Sequence, residues 1–188
     1  MTGNATVLVL LYFVLPLWLL AGIADWLCHR AANIAETAGP RESVLHLLMF
    51  AEAGLPLLMA LFLEINALVI AVMIAMFFLH EATALWDVSY ASDHREVTPI
   101  EQHVHSFLEM IPLLAIVCVV TLNWEQFMAL FGLGSGTADF GLRWKAEPLP
   151  VAYIASLLAA VVLLEFLPYV EELFRGLAAR RRRRSDAG

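Results

Sequence analysis

The chain has 188 residues, 61% of them hydrophobic and 15% charged, with a formal net charge of −7. Soluble domains are only about half apolar, so this composition excludes a water-soluble globule and makes the lipid bilayer the first partner. The negative balance, with five of the eleven basic residues in one terminal run and the charges segregated along the chain, gives no footprint for a nucleic acid. Two cysteines, Cys28 and Cys118, are too few for a disulfide framework.

Apolar runs long enough to cross roughly 30 Å of hydrocarbon, about 20 residues each, begin near Thr6, Val44, Asn66, His105 and Val151. They predict an all-α fold: a polytopic membrane helical bundle of about five transmembrane helices. The first span runs from Thr6 to His29. A cleaved signal peptide over residues 1–24 is the competing reading, because "LLAGIA" ends in small residues. No basic residue precedes that run, and the run is long for a signal.

"AETAGPRES" follows as a connection in which Gly39-Pro40 breaks the helix, and Ser43 with Glu42 suits the start of the second span, Val44–Phe62. Pro56 is expected to kink that span. A tight turn at Glu64–Asn66 leads to a third span ending near Tyr90. Thr98-Pro99 then supplies an N-cap and first helical residue for the fourth, which runs to Val120. Between Asn123 and Pro150 lies a glycine-bearing segment whose opening, "WEQFMALF", suits a short interfacial helix. The fifth span covers Val151–Phe174, and residues 176–188 read as a mobile basic tail beyond a single domain of residues 1–175.

Basic juxtamembrane residues normally remain cytoplasmic. The pentad Arg180–Arg184 therefore predicts a cytoplasmic C-terminus, and five crossings an N-terminus outside, in a plasma or inner membrane. Arg30, Arg41 and Arg95 then fall on the inner side, and Arg143 and Lys145 outside.

Residues 77–110 alone supply four histidines and six carboxylates. With 1.5 Å of rise per residue, hairpin connectivity brings polar side chains from every span to one inner layer. The first span ends in Asp25 and His29; the second rises with Glu42, His46 and Glu52. The third descends with His80, Glu81 and Asp87, the fourth starts with Glu101, His103, His105 and Glu109, and the fifth adds Glu165. Asp25 and His29, Glu42 and His46, Glu101 and His105, and His105 and Glu109 are each four apart, and His80 and Asp87 seven, so each pair can share a helix face. His103 points away from His105.

An ionised side chain at the centre of a membrane helix costs about 2.5–3.5 kcal/mol on insertion scales, so such groups face the bundle interior and act there. A cation relieves that cost by keeping carboxylates ionised and imidazoles neutral. Asp25, His29, His46, Glu52, His80, Glu81, Asp87, Glu101, His105 and Glu109 are the candidate ligands. Glu42, Arg95, His103 and Glu165 would form a supporting shell. Histidine and carboxylate without cysteine favours iron, with manganese or zinc as alternatives. The ligands exceed one ion's needs, so two metal ions are expected.

In residue types the arrangement is similar to di-iron and di-manganese carboxylate bundles. It lacks their Glu-x-x-His pair and the histidine boxes of membrane desaturases, and Ala84 stands where H-E-x-x-H would need its second histidine. The similarity implies a metal-dependent membrane oxidoreductase acting on a lipid-like or quinone-like substrate. Alternatives are a hydrolase on the same ligands, a proton or ion path, a b-type haem protein with His46 and His105, or His29 and His80, as axial pair, and a hydrogen-bonded network that only holds the bundle together.

Other polar residues have ordinary explanations. His94 reads as a solvated loop residue, and Arg95 as a brace to Asp87 or Glu101. Glu171 and Glu172 with Arg175 read as a solvated helix end, and Trp18, Trp26, Trp86 and Trp124 as interface anchors.

Overall fold

A computed structural model describes residues 4–186, all-helical apart from turns and a single bridge. Five helices are long and apolar enough to cross a membrane. They are α1 (Ala5–Ala31), α2 (Pro40–Phe62), α3 (Ala67–His94), α4 (Pro99–Leu122) and α6 (Val151–Asp186). A short helix, α5 (Trp124–Leu130), lies between the last two.

Capping follows the local sequence. The Asn66 side chain accepts from the Val69 amide and the Thr98 side chain from the Glu101 amide, with Pro99 at the first helical position. Gly39, at φ +75°, starts α2, which therefore begins at Pro40, earlier than Ser43 suggested. Glycine takes this conformation without a Cβ penalty. α3 extends past Tyr90 to His94, whose exposed ring stacks on Tyr90 and whose Nδ1 lies 2.7 Å from the Tyr90 carbonyl.

α1 and α6 each contain one widened π-helical turn, at Leu10–Val14 and Val162–Phe166. Each turn lies just before a proline, Pro16 and Pro168. A proline ring collides with the carbonyl four residues back and lacks the N–H that would bond it, and a widened turn accommodates both defects. The second turn carries Glu165, which is buried.

The spans close into a ring in the order α1, α4, α3, α2, α6 and back to α1. Large apolar residues such as Leu20, Phe78, Leu85 and Leu163 cover its outside. The interior clusters are Val14, Ala21, Ile111 and Ala115 between α1 and α4, and Leu15, Leu61 and Leu157 among α1, α2 and α6. Gly176 lets α6 cross the start of α2 closely: a Cβ there would lie 3.2 Å from the Pro40 nitrogen. α6 is helical through Asp186, so the arginine run continues the helix where a mobile tail was expected. Arg183 reaches back to Glu36 in the α1–α2 connection.

At the opposite end, residues 139–146 strap the α2–α3 turn. The Asn66 amide donates to the Gly141 carbonyl at 2.7 Å, the Lys145 ammonium donates to the Leu63 carbonyl at 2.8 Å, and Leu63 pairs with Trp144. Burial pushes the Lys145 ammonium below its ordinary range, opposed by the nearby Glu64 charge.

Candidate metal centre at the arginine-rich end

Asp25 and His29 occupy successive turns of one face of α1 and are both buried. Glu42 and His46 do the same on α2, Asp87 lies on α3, and Glu101 and His105 open α4. All converge at the end of the ring that carries the arginine run. Two residues of α6 join them. Glu172 is fully buried, which corrects its reading as part of a solvated helix end; only Glu171 fits that description, paired with Arg30 and Arg175. Tyr169, also buried, donates its hydroxyl to Asp25 Oδ2 at 3.1 Å.

Glu172 orders the centre. One oxygen lies 2.9 Å from His46 Nδ1 and the other 3.3 Å from His29 Nδ1. The two imidazoles stack with centroids 4.1 Å apart and planes 6° from parallel. On His46 the hydrogen bond between Nδ1 and Glu172 sets the tautomer that leaves Nε2 as an acceptor, whereas the contact to His29 leaves its Nδ1 and Glu172 Oε2 without a hydrogen-bond partner. His29 Nε2 faces Asp25 at 3.4 Å and Glu101 at 3.7 Å, His46 Nε2 faces Asp87 at 3.4 Å, and His105 Nε2 lies 2.9 Å from Asp25 Oδ1. Among the described residues, Asp87 Oδ1 and the Nε2 atoms of His29 and His46 are buried without a hydrogen-bond partner, while Asp25 Oδ1 has His105 Nε2 beside it. Buried polar atoms are rarely left so.

Two groups bring ligand atoms within 4.8 Å of one another: Asp25, His29 and His105, and His29, Glu42 and His46. They share His29 and are groups that could hold metal. Arg95 closes the centre on the loop side. Its guanidinium donates to Glu42 at 2.5 and 3.1 Å and to Glu101 at 2.5 and 2.9 Å, so the brace runs to Glu42 and Glu101 and not to Asp87. Burial opposes its charge, but the two carboxylates overcome that and hold the guanidinium above its ordinary value.

The remaining sequence candidates are not drawn into this group. Glu52 accepts from the Thr83 hydroxyl at 2.9 Å and lies 3.9 Å from His80 Nδ1, deeper in the bundle. Glu81 and Glu109 are half-buried, and His103 is exposed with its ring edge against Phe107. Glu165 presses on Gly22, where a Cβ would collide with its carboxylate.

All five spans line an apolar cleft of about 130 Å³ above the centre, and Asp25, His46, Asp87, His105 and Tyr169 form its polar end. Trp18 lines that cleft from the interior, which corrects its reading as an interface anchor. Glu172 and Tyr169 did carry a signal in sequence: with Glu165 they are spaced four and three apart, one helical face continuing past the apolar run.

No protein-family model matches the chain, and no similar curated protein or solved structure was found. What the geometry defines is a multi-pass membrane helical bundle carrying His/Asp/Glu groups able to bind metal.

Proposed function

We propose that this protein is a membrane metalloenzyme with a dinuclear centre, an oxidoreductase acting on a lipid-like or quinone-like substrate. The observation that carries the proposal is the stacking of His29 and His46 beside Glu172, with His46 Nε2 turned toward the unpartnered Oδ1 of Asp87 and His29 Nε2 toward Asp25 Oδ2, which also accepts from Tyr169. Parallel rings 4.1 Å apart would direct two Nε2 lone pairs at a spacing close to the 3.5–4 Å typical of two-metal sites. His29, Asp25 and His105 would hold one ion; His46 and Asp87 would hold the other, with Glu101 and Glu42 within reach.

Charge supports two ions. Among the described residues of the centre, Asp25, Glu42, Asp87, Glu101 and Glu172 are joined by one permanent cation, Arg95 on Glu42 and Glu101; with the histidines neutral this leaves four formal negative charges that two divalent cations would balance. Histidine and carboxylate donors favour iron, with manganese or zinc as the alternatives. Bound there, such ions would activate oxygen or water, while Tyr169 and Asp25 hold a proton beside them. The arginine run supports the reading that this end would lie at the cytoplasmic face of a plasma or inner membrane.

Elemental analysis of detergent-purified protein, with its absorption spectrum, tests this directly. Two transition-metal ions per chain are expected, with loss of one in Asp25→Ala and in His105→Ala and of the other in Asp87→Ala, helicity unchanged. Metal-free but folded wild-type protein, even after anaerobic loading with iron, would refute the proposal.

A further inference from the structure

We infer that the hollow between the start of α2 and the end of α6 binds the phosphate of an anionic phospholipid, whose acyl chains lie along exposed apolar residues of the same two helices. None of the residues lining the hollow belongs to the metal centre, and the inference goes beyond the function proposed for that centre.

Head chemistry comes from three arginines. Arg41, in the first turn of α2, and Arg180 and Arg183, three residues apart on α6, line an open polar cavity of about 240 Å³ walled by residues 35–40. Glu36 is the one carboxylate among the lining residues, and its two oxygens already face Arg182 and Arg183. Among the described residues, no ion pair or side-chain hydrogen bond engages Arg41 or Arg180. Three guanidinium groups against one carboxylate leave the hollow with two formal positive charges, even before Arg182 is counted. A guanidinium fork matches two oxygens of a phosphate. The choline or ethanolamine cation of a zwitterionic lipid would find no free carboxylate here.

Depth argues for a lipid over a dissolved anion. From Val151 to Arg180 the helix α6 climbs about 44 Å at 1.5 Å per residue, close to the roughly 40–45 Å of a bilayer with its headgroups. Arg180 therefore stands at headgroup level when Val151 stands at the opposite surface. Apolar side chains lead from both arginines back toward the hydrocarbon. On α2, Val44 and Leu48 lie three and seven residues after Arg41 and are exposed. On α6, Leu177 lies three before Arg180 and Phe174 three before Leu177, and both are exposed. Such spacings form one ridge of a helix surface, so each helix presents an arginine above an apolar track. That combination fits an amphiphile, and basic clusters beside a membrane span attract anionic lipids. A dissolved phosphate would use the arginines alone.

Protein purified in a nonionic detergent is titrated calorimetrically with dioctanoylphosphatidylglycerol, dioctanoylphosphatidylcholine and inorganic phosphate. Saturable binding of phosphatidylglycerol is expected, at least tenfold tighter than binding of either other ligand. Arg41→Gln/Arg180→Gln should weaken it at least tenfold. Arg181→Gln/Arg184→Gln removes the same charge from residues outside the hollow and should change it less than about threefold. Circular dichroism should show unchanged helicity in both double variants, whose altered side chains are all exposed. Phosphate bound as tightly as phosphatidylglycerol would make the hollow a site for a dissolved anion, and phosphatidylcholine bound as tightly would leave only an apolar track; either result overturns the inference. Absence of saturable binding overturns it too, as does equal weakening by the two double variants, which would mean diffuse attraction to the whole arginine run.

Discussion

Glu172 sits against both stacked imidazoles, hydrogen-bonded to His46 and 3.3 Å from His29. Removing a carboxylate that orients ligand histidines lowers metal affinity by roughly 10–100-fold, so Glu172→Ala should weaken metal binding by that factor in a competition titration with a chromophoric chelator. Glu172→Gln, which still accepts at one atom, should fall between. Unchanged affinity in both would show that the histidines are oriented by something else. Arg95 acts in the opposite sense, as the cation that makes Glu42 and Glu101 tolerable in a buried site. Taking one partner from a buried ion pair costs about 3–5 kcal/mol. Arg95→Ala should lower stability by that order in detergent unfolding, and Arg95→Lys should recover part of it, since an ammonium cannot match the guanidinium fork on two carboxylates. A loss under about 1 kcal/mol would mean that water already serves these carboxylates.

Helix packing is decided at a few close approaches. Gly22 on α1 admits the Glu165 carboxylate of α6, and the widened turn before Pro168 carries that residue. Gly22→Ala should push Glu165 out and destabilise the α1–α6 seam by about 1–3 kcal/mol, the usual cost of overpacking. Gly22→Ala/Glu165→Ala should regain most of the loss, and a double-mutant cycle measures the coupling. Additive losses would show that the two side chains do not meet. These features explain why helix positions could be read from apolar runs while their ends could not. Gly39 started α2 early because its backbone could turn there, and α6 outran its apolar stretch because Gly176, Ala179 and Arg183 pack against the α1–α2 connection.

The whole molecule is a ring of spans closed by unlike ends, ion pairs at one and a backbone strap at the other. In the strap the Gly141 amide donates to Asp139, and with Arg143 beside it this outweighs burial and holds the carboxyl below its ordinary value of 3.8. A depressed carboxyl value gives stability that is present above the unfolded value and lost as pH falls through the folded one. Hydrogen exchange in residues 139–146, corrected for its intrinsic pH dependence, should stay constant through neutral pH and quicken only below about 3.8. In Asp139→Asn the acid step should vanish. An acid step that persists there would place the titrating group elsewhere in the strap.

The sequence by itself determined the class of protein and the layer of chemistry. Five apolar runs in hydrocarbon have no stable alternative to helices, because every backbone group must be bonded within its own segment. Short connections then force the chemistry-bearing ends together, so Asp25, His29, His46, Asp87, Glu101 and His105 could be assigned to one layer from spacing alone. Tertiary structure decided which of that layer meet. Helical phase fixes the face a side chain shares with its neighbours in sequence, but not the rotation of one helix against another or the order of helices around the ring. Those depend on close packing at Gly22 and Gly176 and on prolines that widen turns, and they left Glu81 and Glu109 only half-buried while bringing Glu172 and Tyr169 to the centre.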